Sequence, residues 1–226
     1  QWYLRLLRYL FFGKFLNCGQ TCVAPDYIWC DKSIKEELVK EIIAQVKLQF
    51  GENPLLNKDY GKIVNEKHFN RLNELIDHNK VVIGGKSAFE SLKIEPTVMD
   101  NVTFEDKIME DEIFGPIMPI LTFESIDEVV CILNNKPRPL ALYLFTNDKN
   151  AVEIITSRCN YGGGCINDVV VHLSTSSLGF GGIGESGMGS YHGEDGFNAF
   201  SYNKNILDRK TWLEFPHRYQ PYDRKK

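Results

Sequence analysis

The sequence lacks the features that mark several large classes of protein. No apolar stretch approaches the roughly 20 residues that a membrane-spanning helix needs, and there is no internal repeat or low-complexity segment. Basic residues form no long run, and a formal net charge of -4 argues against nucleic-acid binding. No two of the six cysteines have C-x-x-C spacing and the five histidines are scattered, so we predict no metal site.

The composition that remains is typical of a globular protein. Of the 226 residues, 43% are hydrophobic and 25% are charged, which predicts one large or two small domains. A chain of this size needs no disulfide framework, so we expect free thiols and a cytoplasmic protein, with a membrane-associated form of the full-length protein left open. The first residue, Gln1, is not methionine, and we expect the start of the protein to be missing.

Hydrophobic periodicity predicts five helices. The opening residues carry apolar side chains at helical spacing from position 3 to position 11, which indicates an amphipathic helix. A second helix is predicted from a Ser33 cap to Gly51. The others are an irregular helix within residues 59–79, a helix that opens at Ser125, and a helix over 150–159.

Short runs of strand-forming residues alternate with these helices. They cover residues 27–30, 81–83, 117–123, 140–145 and 164–167, and the run at 81–83 is predicted to be buried. Strands that alternate with helices predict a layered α/β fold with a largely parallel sheet and flanking helices. Few core-forming residues follow Phe200, so an extended C-terminal arm is predicted.

A glycine-rich segment from Gly179 to Gly189 holds six glycines in eleven residues. It matches the dinucleotide pattern G-x-G-x-x-G twice, but that pattern requires a strand directly before it and an apolar-faced helix directly after it. Neither is predicted here. We therefore interpret the segment as a loop that permits close backbone approach.

Two other segments carry chemically useful side chains. The polar segment Asn17–Cys22 lies between the first helix and the first strand, and backbone N–H groups in such a loop stabilise a thiolate and then an oxyanion. A cysteine in a fold is more often an inert small hydrophobe. In the acidic segment Met109–Pro116, Glu112 and Phe114 would share one side of an extended chain, although a charge run by itself is usually a solvated face.

Together these segments resemble the catalytic half of an aldehyde dehydrogenase, most closely the class 3 and fatty-aldehyde branch. The resemblance covers roughly residues 8 to 205 and rests on four segments taken in order. These are Gly13–Tyr27, Glu112–Pro116, Pro139–Tyr143 and Phe180–Gly193.

The resemblance implies oxidation of an aldehyde to a carboxylic acid with NAD or NADP as cofactor. Cys22 matches the nucleophile that forms a thiohemiacetal and then a thioester, and its backbone N–H matches one oxyanion donor. Glu112 matches the carboxylate that binds the nicotinamide ribose hydroxyls, and Phe114 matches the ring packed near the nicotinamide. Residues His172–Leu178 correspond to a loop near the substrate entrance. The interpretation of these residues as an ordinary surface loop has equal weight.

The resemblance also implies a division of the chain. Residues 1–12 would be a helical segment continuing from a longer chain, residues 13–200 the catalytic domain, and residues 201–226 an arm that joins a homodimer. Because a domain that normally packs against another exposes apolar surface when alone, we expect exposure in the opening segment. The aromatic residues concerned are Trp2, Tyr3, Tyr9, Phe11 and Phe12.

The sequence departs from the family pattern in ways that leave two hypotheses open. The nucleotide-binding domain, the Asn that completes the oxyanion hole and the Glu general base have no candidates here, and Gly179 stands where the family usually has proline. The first hypothesis is that the chain is the catalytic portion of a longer enzyme. The alternative is a naturally truncated, non-catalytic partner of full-length subunits.

Overall fold

The computed structural model describes residues 2–215, 218 and 220, with side chains from residue 7 onward. Its helices are α1 (Trp2–Phe15), α2 (Lys35–Phe50), α3 (Glu66–Leu75), α4 (Ile126–Asn134), α5 (Lys149–Arg158) and α6 (Gly193–Ala199). Its strands are β1 (Ile28–Asp31), β2 (Val81–Ile83), β3 (Ser87–Ala88), β4 (Lys93–Ile94), β5 (Thr97–Met99), β6 (Ile117–Phe123), β7 (Ala141–Leu144) and β8 (Gly163–Ile166). No helix in these ranges is long and apolar enough to cross a membrane.

The main sheet has four strands in the order β1, β6, β5, β2. Strand β6 pairs in parallel with both β1 and β5, and β2 lies antiparallel to β5 at the edge. Strands β7 and β8 form a separate parallel pair, and β3 and β4 form a short antiparallel pair. The predicted α/β fold with a largely parallel sheet and flanking helices is confirmed.

Strand β6 separates two hydrophobic cores, because successive side chains of a strand point to opposite faces of the sheet. Met118 and Ile120 pack with α1 and α2 on one face. Ile117 and Leu121 pack with α3 and the loop before β6 on the other. A third cluster joins α4 and α5 to β7. The central strand therefore fixes the positions of the elements that surround it.

The helix predictions are correct in position and partly wrong at the ends. The cap of α2 is not Ser33: the Asp31 carboxylate accepts a hydrogen bond from the Ser33 N–H at 2.8 Å in a preceding 3-10 turn. The helix predicted within residues 59–79 is shorter than expected, because Asn65 caps α3. Tyr60 instead enters the core and donates a hydrogen bond to the Ile94 carbonyl at 2.8 Å.

The burial predicted for the 81–83 strand is wrong. Strand β2 occurs where predicted, but its side chains are half-buried or exposed. The reason is its place in the sheet, since an edge strand has a neighbour on one side only. The length and apolar composition of three residues give no information about that place.

The expected exposure of the opening helix is partly wrong. Phe11 is 0% exposed and packs with α2 and β6, whereas Phe12 is 54% exposed and Tyr9 is also exposed. The helical period explains the difference, because Leu7, Leu10 and Phe11 share the face that meets the core. The side chains of Trp2 and Tyr3 lie outside the described residues.

Replacing Ile42 by alanine should lower the free energy of unfolding by about 2–5 kcal/mol, because this side chain of α2 is fully buried between α1 and the sheet. Leu48 on the same helix is 69% exposed and is the matched control. Urea titration of both variants measures the effect. Equal losses in Ile42→Ala and Leu48→Ala would contradict the placement of the α2 core face.

Candidate active site

The chain leaves α1 through a tight turn of left-handed backbone. Asn17, Cys18 and Gly19 have φ angles of 50°, 56° and 73°. The Gln20 side chain fixes this turn by donating hydrogen bonds to the carbonyls of Asn17 and Lys62, both at 3.0 Å. The segment after α1 is therefore held by its own backbone and by a distant loop.

Cys22 lies in the next turn, and β1 begins six residues after it. The Ala24 N–H donates a hydrogen bond to the Thr21 carbonyl at 3.1 Å, so Cys22 and Val23 occupy the central positions of a four-residue turn. Cys22 is exposed with a free thiol, and Val23 is buried. The turn thus presents the sulfur at the surface while its neighbour anchors the backbone.

Glu112 and Phe114 lie in the loop that leads into β6. The Asp26 carboxylate accepts a hydrogen bond from the Ile113 N–H at 3.2 Å, and the Arg71 guanidinium donates one to the Ile113 carbonyl at 2.5 Å. Phe114 has a φ angle of 49°, so the loop is not extended at this point. Charged side chains from the loop before β1 and from α3 therefore hold both main-chain polar groups of Ile113.

The two loops meet through a pair of glycines. Gly19 has a φ angle of 73°, and a Cβ atom there would overlap the carbonyl group of Gly115. Gly115 in turn has no room for a Cβ atom because Leu72 packs against it. The structure therefore brings the segment that carries Cys22 into backbone contact with the segment that carries Glu112.

A buried cation lies beneath both loops. Lys14 is 0% exposed, and its ammonium group donates a hydrogen bond to the main-chain carbonyl of Asp26 at 3.2 Å. Burial lowers the pKa of Lys14 from 10.5 to about 8, and the carboxylates of Asp26 and Glu112 oppose that shift. Burial likewise raises the pKa of Asp26, opposed first by Lys14. Lys14 therefore interacts electrostatically with a carboxylate in each of the two loops.

The Glu112 carboxylate is open to a ligand. Partial burial and the Asp26 carboxylate raise the pKa of Glu112, whereas Arg71 and Lys14 act in the opposite direction, and no described side chain donates a hydrogen bond to it. The Phe114 ring is exposed two residues away. The loop thus carries an exposed carboxylate and an exposed aromatic ring two residues apart.

All six cysteines are free thiols, and only Cys22 and Cys131 are exposed. Cys131 lies on α4, on a different element from the loops described above. Within the ranges that the structure describes, no group of three or more His, Cys, Asp or Glu side chains could hold a metal ion.

The glycine-rich segment folds back on itself. The backbones of Phe180 and Tyr191 pair in an isolated bridge, and a seven-residue helix, α6, follows at Gly193. Between Gly181 and Ser190 the chain forms only a short 3-10 turn at Gly184–Ser186, so the segment is a loop. At Gly179 a Cβ atom would overlap the Asp195 carboxylate, so a residue larger than glycine would require Asp195 to move.

Sequence reasoning missed Lys14, Asp26 and Arg71. For Lys14 a signal existed, because position 14 continues the buried face of α1 that includes Leu7, Leu10 and Phe11. A lysine on that face predicts a buried charge in need of a partner. Asp26 and Arg71 carry no comparable signal, since their roles depend on contacts with a loop far along the chain.

Replacing Gly19 by alanine should lower the free energy of unfolding by more than about 1 kcal/mol, because the left-handed backbone and the Gly115 carbonyl both exclude a Cβ atom. The control is Gly196→Ala in α6, where a Cβ atom meets nothing within 4 Å. Urea denaturation compares the two. A Gly19→Ala protein as stable as the control would show that the loops do not touch here.

Lys14→Met tests the buried charge through the pH dependence of stability. Between pH 8 and pH 10.5 the unfolded chain keeps the Lys14 proton and the folded chain does not. Lys14 therefore increases the free energy of unfolding as pH rises. The difference in unfolding free energy, wild type minus Lys14→Met, should therefore increase by on the order of 2 kcal/mol from pH 7 to pH 10.

The matched control for this experiment is Lys40→Met, which removes an exposed lysine of α2. Its difference from wild type should stay flat over the same pH range. Chemical denaturation under reducing conditions provides the measurement. Parallel, flat differences for both variants would contradict a burial-driven decrease in the pKa of Lys14.

Comparison with known proteins was made with both the sequence and the fold. The aldehyde dehydrogenase dimeric NADP-preferring of Rattus norvegicus is 42% identical over 216 residues, which is 95% of this chain and 48% of that protein. Aldehyde dehydrogenase family 3 member H1 of Arabidopsis thaliana is 42% identical over 225 residues, 97% of this chain and 46% of that protein. The chain thus spans about half the length of these curated relatives.

A solved structure described as the substrate-bound state of Staphylococcus aureus AldH matches the fold with a TM-score of 0.89 and 43% sequence identity. The match covers 96% of this chain and 48% of that one. The family model "Aldehyde dehydrogenase family" matches residues 5–206. Sequence, fold and the order of the quoted segments agree, and the chain belongs to the aldehyde dehydrogenase family.

Proposed function

We propose that the protein to which this chain belongs oxidises an aldehyde to a carboxylic acid with NAD or NADP, and that Cys22 is the nucleophile. The observation that carries the proposal is the contact between the two loops. An exposed free thiol lies in a fixed turn, and the turn before it packs through Gly19 against the loop of Glu112 and Phe114.

In this proposal the sulfur of Cys22 forms a bond to the carbonyl carbon of the aldehyde, and the carbonyl oxygen takes the negative charge. The backbone N–H of Cys22 donates a hydrogen bond to that oxygen. The former carbonyl carbon would then lose its hydrogen as a hydride, for which a bound nicotinamide cofactor would supply the acceptor, and a thioester would be left on Cys22. Water then hydrolyses the thioester, releases the carboxylic acid and returns the thiol, and sulfur suits this step because thioesters are more reactive than esters.

Glu112 and Phe114 are proposed to hold the nicotinamide end of the cofactor. The Glu112 carboxylate accepts hydrogen bonds from ribose hydroxyls, and the Phe114 ring packs near the nicotinamide. Both NAD and NADP remain part of the proposal, although the name of the rat relative records a preference for NADP. The residues that bind the remainder of the cofactor are proposed to lie outside this chain.

Residues 13–200 are proposed as the catalytic domain, and residues 201–226 as an arm that joins two copies. Between 201 and 215 the chain has no helix or strand, and large apolar side chains are exposed. They include Tyr202, Ile206, Leu207 and Trp212. Apolar surface of this kind supports association, and the rat relative is named as dimeric.

The exposed arm also supports the alternative function, a non-catalytic partner of full-length subunits. The two proposals differ in what the chain needs: the enzyme needs Cys22, and the partner needs only the arm. The free thiols support a reducing, cytoplasmic setting for both. A purified chain that fails to associate with a full-length subunit would remove the support for the alternative.

An activated ester such as p-nitrophenyl acetate tests the nucleophile on this chain without cofactor. Thiolate attack with one oxyanion donor is sufficient for acylation, so we expect a burst of p-nitrophenol of about one equivalent. Steady turnover should be slow, because the family pattern assigns the general base to residues that this chain does not contain. Stopped-flow absorbance gives both phases.

Cys22→Ala should abolish the burst, and the matched control Cys131→Ala, which removes the other exposed thiol, should retain it. Mass spectrometry should find the acetyl group on Cys22. A burst that survives in Cys22→Ala, or folded protein in which iodoacetamide labels other thiols and spares Cys22, would rule out the proposed nucleophile.

A further inference from the structure

The Tyr143 hydroxyl on β7 contacts the Cys22 turn from outside the two loops already described. It donates a hydrogen bond to the main-chain carbonyl of Val23 at 2.7 Å, across a sequence separation of 120 residues. Val23 directly follows Cys22 and occupies the second central position of its turn. The exit of the turn is therefore tied to the β7–β8 sheet by a side chain.

The same hydroxyl also meets the segment after β8. The backbone N–H of Val170 interacts with the Tyr143 oxygen, and Val170 has a φ angle of 64°, which is unusual for a β-branched residue. This segment packs on α1, because a Cβ atom at Gly13 would overlap the Val169 side chain. The phenol oxygen thus lies between the Cys22 turn and the segment after β8, and that segment in turn packs on α1.

The hydroxyl is kept in its donating form. Burial raises the pKa of Tyr143 well above its usual value, and the thiols of Cys165 and Cys22 add to the shift. The ring itself packs edge-on against the buried His172 imidazole at 5.9 Å between centroids. Packing needs only the ring, whereas the bond to Val23 needs the hydroxyl, so the two roles are separable by removing one oxygen.

We propose that Tyr143 is a positioning residue for Cys22: its hydroxyl holds the Val23 carbonyl and so fixes the turn that aims the Cys22 sulfur and backbone N–H at one carbonyl group. The inference rests on the proposed function of Cys22. It assigns Tyr143 no contact with the substrate and no proton transfer. The expected loss on its removal is in the geometry of attack, and not in the ionisation of the thiol.

Two reactions of Cys22 distinguish a change in the geometry of its attack from a change in the reactivity of its thiolate. Acylation by p-nitrophenyl acetate needs the sulfur and the oxyanion donor correctly placed around the same carbonyl group, whereas alkylation by iodoacetamide needs only an accessible thiolate. In Tyr143→Phe, the burst rate constant should fall about tenfold, since displaced reacting groups lose rate steeply. The alkylation rate of Cys22, followed by mass spectrometry from pH 6 to 9, should change less than about threefold.

The matched control is Tyr161→Phe, which removes the hydroxyl of another partly buried tyrosine, one that packs against the α4 and α5 cluster. It should leave both rates unchanged. Incorporating 4-aminophenylalanine at position 143 returns an N–H donor and should restore most of the burst rate. A structural effect of the ring alone predicts no such rescue, because the ring is present in both variants.

Each other outcome is decisive. A Tyr143→Phe protein with an unchanged burst, or with both rates reduced equally, overturns the positioning role while leaving Cys22 as the nucleophile. Absence of any burst in the wild type overturns the proposed function itself.

If Tyr143→Phe does not fold, hydrogen exchange of the wild-type protein tests the positioning role instead. The Ala24 amide should be protected within about tenfold of the Asn167 amide at the end of β8. Much faster exchange at Ala24 would show that the turn is not tied to the sheet.

Discussion

The contact between the Gly19 backbone and the Gly115 carbonyl is the constraint on which the arrangement of the site depends. The segment after α1 and the segment before β6 are distant in sequence, and they carry Cys22 and Glu112 respectively. The two backbones approach this closely because neither residue has a side chain there. A left-handed φ angle at Gly19 turns the chain onward, so that Cys22 emerges at the surface three residues later.

Charged side chains also stabilise this contact between the two loops. Asp26 in the Cys22 loop and Arg71 on α3 hold the main-chain N–H and carbonyl of Ile113, and Lys14 on α1 holds the main-chain carbonyl of Asp26. Burying such groups costs free energy unless each has a partner. Here each of the three bonds to main-chain atoms of the loops that it positions. The hydrogen bonds that offset the cost of burying these charges therefore also keep the loop of Glu112 and Phe114 in place.

The parallel sheet explains why the two loops can meet. Strands β1 and β6 are neighbours and run in the same direction, so the segments that enter them lie at the same edge of the sheet. The Cys22 turn precedes β1 and the Glu112 loop precedes β6. On the other side of the turn, Tyr143 ties Val23 to the second, two-stranded sheet. The turn that carries Cys22 is thus held between two sheets.

The sequence by itself determined the helices and strands in outline, because a period of 3.6 or 2 in apolar residues reflects a face turned toward a core. It also carried the order of the four segments that mark the aldehyde dehydrogenase family, including Cys22, Glu112 and Phe114. Only the tertiary structure decided that β2 is an edge strand and that Asp26, Arg71 and Tyr143 support the loops. These facts depend on which distant segments become neighbours, and no local pattern of residues encodes that.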